Sequence, residues 1–181
     1  ASMFGVYLTF IRTAFLKMLA YRLRYYTGIL TYLLFVSVHY FIWQAVFQAH
    51  GGGEINGYTF TQMVTYVSIG WITRSFYFSN TDEEIDDLVR TGQIGIYLLR
   101  PVDLQAMMLS QAVGDCLFRL IFFAPPIAIV TLICFPVSLP PTWFDGILFL
   151  TATAFGFLVL ALINFIIGMF AFWFKSIDGM I

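Results

Sequence analysis

Residues 79–103 read SNTDEEIDDLVRTGQIGIYLLRPVD, a polar island between two long apolar segments. Asp82, Glu83, Glu84, Asp86 and Asp87, five of the ten acidic residues, fall within it. Thr81 followed three residues later by Glu84 has the form of a capping box, and acids in a first turn suit the positive end of a helix dipole. A short helix is predicted over 81–91. Ile85, Leu88 and Val89 share one face, Arg90 stands in the last turn, and Gly92 is placed to end the helix. Pro101 prevents a helix from running smoothly through Arg100. The plain reading of this island is a solvated loop helix. The sharper one is a docking element for a soluble partner, in which the apolar face is covered and Glu83, Glu84, Asp86, Asp87 and Arg90 surround it. Five carboxylates disfavour the alternative cover, an anionic membrane surface, which attracts basic segments.

The chain around this island has 181 residues, 60% hydrophobic and 10% charged, far fewer charges than the ~25% of soluble domains. An all-α integral membrane protein is expected, as one transmembrane domain over 1–181. A net charge of −1 gives no reason to propose a nucleic-acid partner. Cys116 and Cys134 form neither a CxxC pair nor a disulfide framework and read as core residues. Arg12 and Lys17 interrupt the first twenty residues, so a cleavable signal is not expected. Met3 reads as a natural start behind an Ala1-Ser2 remnant.

Upstream, Phe4, Leu8, Ile11, Phe15 and Leu19 form a stripe from which Arg12, Thr13 and Lys17 are displaced. That pattern predicts an amphipathic interfacial helix over 4–24, in contact with membrane lipid. Residues 26–47 form a first span, with Trp43 as an interfacial anchor and His39 as a hydrogen-bonded helix residue. A glycine-rich turn at 50–57 leads to a second span over 60–78, with Arg74 near its inner end. Downstream, 104–135 forms a third span. Asp115 and Arg119 lie i, i+4 within it and are expected to pair, either as an anchor near the boundary or as a polar element facing a cavity or partner. Pro125 and Pro126 should kink this span. A proline-rich turn precedes the fourth span over 143–174, in which Ala152 and Gly156 form a small-xxx-small pair and Asn164 is the strongly polar residue.

Arg12, Lys17, Arg22, Arg24, Arg74, Arg90, Arg100 and Lys175 lie at or near one side, and the opposite loops carry no Lys or Arg. The positive-inside rule then places both termini and the acidic helix in the cytoplasm of a multi-pass cell-membrane protein. Catalytic chemistry is not expected. A P-loop needs Gly-Lys-Ser/Thr, and the two lysines, Lys17 and Lys175, follow Leu16 and Phe174. There is no HExxH zinc motif. Gly114-Asp115 is half of an intramembrane aspartyl protease signature, but the second aspartate is missing and Arg119 would hold Asp115 ionised.

The amphipathic leading helix, the short outer loop, the acidic helix after the second span, GQIGIYLLRP at 92–101 and AFWF at 171–174 resemble the membrane subunits of type-2 ABC transporters. Within this exporter permease family the likeness is to stand-alone permeases of bacterial drug-efflux type. The resemblance implies a permease without its own ATPase, paired with a second identical or homologous permease and with two copies of a separate ATPase subunit that holds ATP and Mg. It also implies that residues 82–91 form a coupling helix. Ile85, Leu88 and Val89 would be buried by the ATPase, with Glu83, Glu84, Asp86 and Asp87 facing basic groups. Members of the family usually have six spans and four are read here, as expected of a truncated or a shortened member. The aromatic content suggests an apolar cavity for amphiphilic, lipid-like cargo, with Tyr40, Asn164 and Arg119 as candidate lining residues. A non-transporting scaffold that recruits another cytosolic protein is the competing class. A passive channel is disfavoured because no span carries a clear polar stripe.

Overall fold

The structure, a computed structural model, describes the backbone of residues 3–77, 79–140 and 142–173, and their side chains except at 3, 4 and 22–26. The side-chain expectations for Phe4, Arg22 and Arg24, and those for Phe78, Phe174 and Lys175, lie outside the described residues. In chain order the elements are α1 (Met3–Ala20), α2 (Arg22–Ala49), α3 (Phe60–Tyr77), α4 (Thr81–Arg90), α5 (Ile94–Leu98), α6 (Leu104–Phe122), α7 (Ala124–Cys134) and α8 (Trp143–Met169). A 3-10 turn over Phe170–Phe172 follows. The described residues form no strand, only one isolated bridge between Ile55 and Tyr58. Among the described residues, three stretches are long and apolar enough to cross a membrane: Thr27–Ala49, Leu104–Cys134 and Trp143–Phe172, of 23, 31 and 30 residues. Helix α3, with 18 residues, carries Gln62, Arg74 and several hydroxyls and is not among them.

Local chemistry explains most boundaries. The predicted 4–24 helix is divided at Tyr21, so that Arg22 already opens α2. Thr59 and Gln62 form a reciprocal capping box at the start of α3, with bonds of 2.9 and 3.3 Å. At α8, the Asp145 amide donates to Thr142 Oγ1 at 3.2 Å, while the Thr142 hydroxyl donates to Asp145 Oδ2 at 2.6 Å. The prolines do more than kink the third span. They occupy the first turn of α7, after a break at Phe123, where their missing N–H groups leave no helical bond unmade. The glycine-rich turn at 50–57 uses left-handed backbone at Gly51, Gly52, Asn56 and Gly57.

Contacts group the chain into two compact units. The second is drawn from Tyr21–Phe76 and Arg119–Leu150. Its aromatic residues cluster around Trp71, which stacks on Phe35 at 4.6 Å and meets Tyr32 edge-on at 5.9 Å. Helices α2 and α7 pack together, with the Phe123 ring lying over Gly28. His39 bonds the Phe35 carbonyl oxygen at 2.8 Å, as expected of a residue that satisfies itself within its helix. Cys134, expected in the core, is exposed on α7.

The first unit is drawn from Ala1–Ala20, Tyr77–Phe118 and Thr151–Ile181. Helix α1 docks on α6 here: Ala14 and Met18 are buried, and Phe15 meets Phe118 edge-on at 5.8 Å. The predicted stripe is therefore rotated. Leu8, a member of it, is 57% exposed, because the close approach at Gly114 selects the Ile11 and Ala14 side of α1. The middle of α8 carries Gly156 against the phenol end of Tyr77, and the Tyr77 hydroxyl donates to the Thr153 carbonyl oxygen at 2.8 Å. Gly156 thus receives a phenol. Tyr77→Phe should remove about 1 kcal/mol and lower the melting midpoint by about 2–4 °C, measured by thermal unfolding in detergent.

Candidate functional site

Helix α4 begins one residue earlier in register than a capping box at Thr81 requires. Asn80 is the cap residue, its side-chain amide donates to Glu83 Oε2 at 2.7 Å, and its carbonyl oxygen accepts from the Glu84 amide at 3.0 Å. Thr81 instead shares a 2.7 Å hydroxyl bond with Ser79. The far end is as expected: Gly92 takes a left-handed φ of 72° and its amide donates to the Val89 carbonyl oxygen at 3.1 Å. The segment leading into α4 is held by Asn164, whose amide donates to the Ser79 carbonyl oxygen at 3.1 Å.

The apolar face of α4 is buried within the chain itself. Ile85 is 0% exposed and packs with Leu88, Ile94, Met107 and Met108, with Val89 and Phe165 at the edge of the cluster. Ile85 also sits directly against Gly168 near the end of α8. Of the acidic residues, Asp82 and Asp86 lie on the buried side. Asp86 Oδ2 is 3.7 Å from an Arg90 nitrogen. Glu83, Glu84, Asp87 and Arg90 are exposed. The expectation that Ile85, Leu88 and Asp86 meet a partner is therefore corrected, because residues 94–108 and the end of α8 already cover them. What α4 offers outward is a carboxylate face on a firmly seated helix.

Beside α4 lies a cleft of about 380 Å³. Thr13 and Lys17 of α1, Glu84 of α4, Arg100 after α5, and Gln111 and Asp115 of α6 supply its polar lining. Val6, Phe10, Ala14 and Tyr97 supply its apolar wall. The Arg100 guanidinium rests over the Tyr97 ring at 4.7 Å, which steadies it at the rim. Gln111 Oε1 is buried and accepts no hydrogen bond among the described residues. Asp103 fixes the start of α6 by accepting from the Ala106 amide at 2.7 Å, which sets the rotation that brings Gln111 and Asp115, one turn apart, to the cleft. The sequence singled out Asp115 for pairing and did not link it to Lys17 or Arg100, which lie in distant segments.

The remaining candidates are Tyr40, Asn164 and Arg119. Tyr40 sits in the second unit among Phe41, Phe60 and Phe135, with ring centroids 5.0–5.4 Å away. Asn164 belongs to the first unit, where it bonds the backbone as described. Asp115 and Arg119 lie one turn apart on α6. No group of three or more potential metal ligands gathers among the described residues. A family model described as ABC-2 family transporter protein matches residues 33–181. No curated protein and no solved structure matches the chain.

Proposed function

This chain belongs to the ABC-2 transporter family, and on that premise we propose that it is a permease subunit driven by a separate ATPase subunit that docks on the exposed face of α4. The carboxylates Glu83 and Asp87 carry this reading, since they project from a helix whose opposite face is locked into the core, while Glu84, beside them, lines the cleft. A basic groove on the ATPase would match them. In this reading α3 completes a set of four spans, and both termini and α4 face the cytoplasm at the inner, plasma membrane. Two permeases work with two ATPases, and ATP and Mg stay with the partner. Transport is outward, by alternating access, and the cargo is amphiphilic, as the wealth of aromatic side chains suggests.

The test is co-purification with cytosolic proteins and an ATPase assay of what is retained. A P-loop ATPase should accompany the wild type, and Glu83→Lys/Asp87→Lys should weaken its retention at least about tenfold without lowering the melting midpoint. A folded membrane protein that never retains an ATPase would favour the scaffold reading. Unchanged retention in the double variant would move the docking site off α4.

A further inference from the structure

We infer that the cleft between α1, α4 and α6 binds the headgroup of a zwitterionic phospholipid bearing a primary amine, of the phosphoethanolamine type, as a resident lipid. Its ionisable lining is balanced, with the cations Lys17 and Arg100 against the carboxylates Glu84 and Asp115. A ligand of a single charge would meet two groups of its own sign. A zwitterion meets complementary groups at both ends, with phosphate taken by the guanidinium and ammonium groups and amine by the carboxylates. Gln111 Oε1 selects between amines. Buried and without a donor among the described residues, it can accept from a primary ammonium and gains nothing from a quaternary one, which has no N–H to give.

Position argues for a lipid over a free solute. The cleft is walled on one side by α1, whose outer surface presents Leu8 and Leu16, while the inner surface of the same helix supplies Thr13 and Lys17 to the cleft. One amphipathic helix therefore offers an apolar track for acyl chains beside a polar seat for the headgroup. The seat also lies within the 300–1,000 Å³ range of ordinary ligand sites. This inference does not depend on ATPase docking.

The test is native mass spectrometry of the purified protein in detergent, titrated with phosphatidylethanolamine, phosphatidylcholine or phosphatidylglycerol of matched chains. The wild type should retain phosphatidylethanolamine about tenfold over the other two. Asp115→Asn should erase the preference over phosphatidylcholine while leaving phospholipid bound. Lys17→Gln/Arg100→Gln, at exposed positions, should weaken both. Soluble phosphoethanolamine should displace the lipid only at far higher concentration. Equal retention of the three lipids by the wild type, or a preference untouched by either variant, overturns the site. Binding of soluble phosphoethanolamine as tightly as the lipid overturns its assignment to a lipid. No ATPase enters the experiment, so either outcome leaves the permease reading to its own test.

Discussion

Ile85→Asp is expected to abolish recovery of folded protein. Ile85 is 0% exposed, and its neighbours Leu88, Met107 and Met108 offer a new carboxylate no donor. Two buried acids, Asp82 and Asp86, already share its face of α4, so the added charge meets repulsion as well as desolvation. A buried charge without a partner costs about 3–5 kcal/mol or more, against a total domain stability of about 5–15 kcal/mol. Ile85→Val, which removes one methylene, should cost about 0.5–1.5 kcal/mol and leave the protein monodisperse. Size-exclusion chromatography and thermal unfolding in detergent distinguish the two. An aspartate variant that elutes and melts like the wild type would show that this face of α4 is not core. The contrast with Glu83 and Asp87 is practical: substitutions on the exposed face probe docking, whereas those at Ile85 or Leu88 probe folding.

Gly114→Val should be nearly as damaging, by a different route. A Cβ at 114 would collide with the Ile11 carbonyl oxygen and lie 2.8 Å from Ala14 Cβ. The first obstacle is backbone, which cannot rotate aside. Helix α1 must retreat from α6, opening the Phe15–Phe118 contact and the packing of Met18. Overpacking of this kind costs about 1–3 kcal/mol, and the backbone clash places it at the upper end, about 3 kcal/mol. Gly70→Ala is the matched control, since a Cβ there meets nothing within 4 Å and alanine favours a helix by about 0.5–1 kcal/mol. The expected melts move in opposite directions. A Gly114→Val midpoint equal to that of the wild type would rule out the close approach of α1 and α6.

These two sites also show what could be read from the chain. The limits of α4 followed from composition and spacing, because acids gather in the first turn, Arg90 closes the last, and Gly92 alone tolerates the left-handed backbone that ends it. The apolar helices of the other segments were legible for the same reason: long uninterrupted runs have few alternatives. The destination of an amphipathic face was not legible. A stripe of Ile85, Leu88 and Val89 predicts burial but says nothing of whether the cover is a partner or residues 94–108 of the same chain. The seating of α1 was hidden similarly, since the decisive feature is a missing side chain at Gly114, a hundred residues away. The cleft escaped notice because Lys17 and Arg100 were read as markers of membrane sidedness, Glu84 as part of a docking face and Asp115 as the partner of Arg119, whereas its geometry joins four separate segments.

Gly168 has a mechanical meaning. Ile85 fills the space where a side chain would stand, its Cβ and Cδ1 both 2.9 Å from the position of an added Cβ, with Asp82 Cα at 3.1 Å. The junction works as a key in a keyway: α4 cannot slide along the end of α8 without Ile85 first climbing out of its notch. On the docking proposed above, a load applied to the carboxylate face would pass to α8 through this steric fit and not through an ion pair.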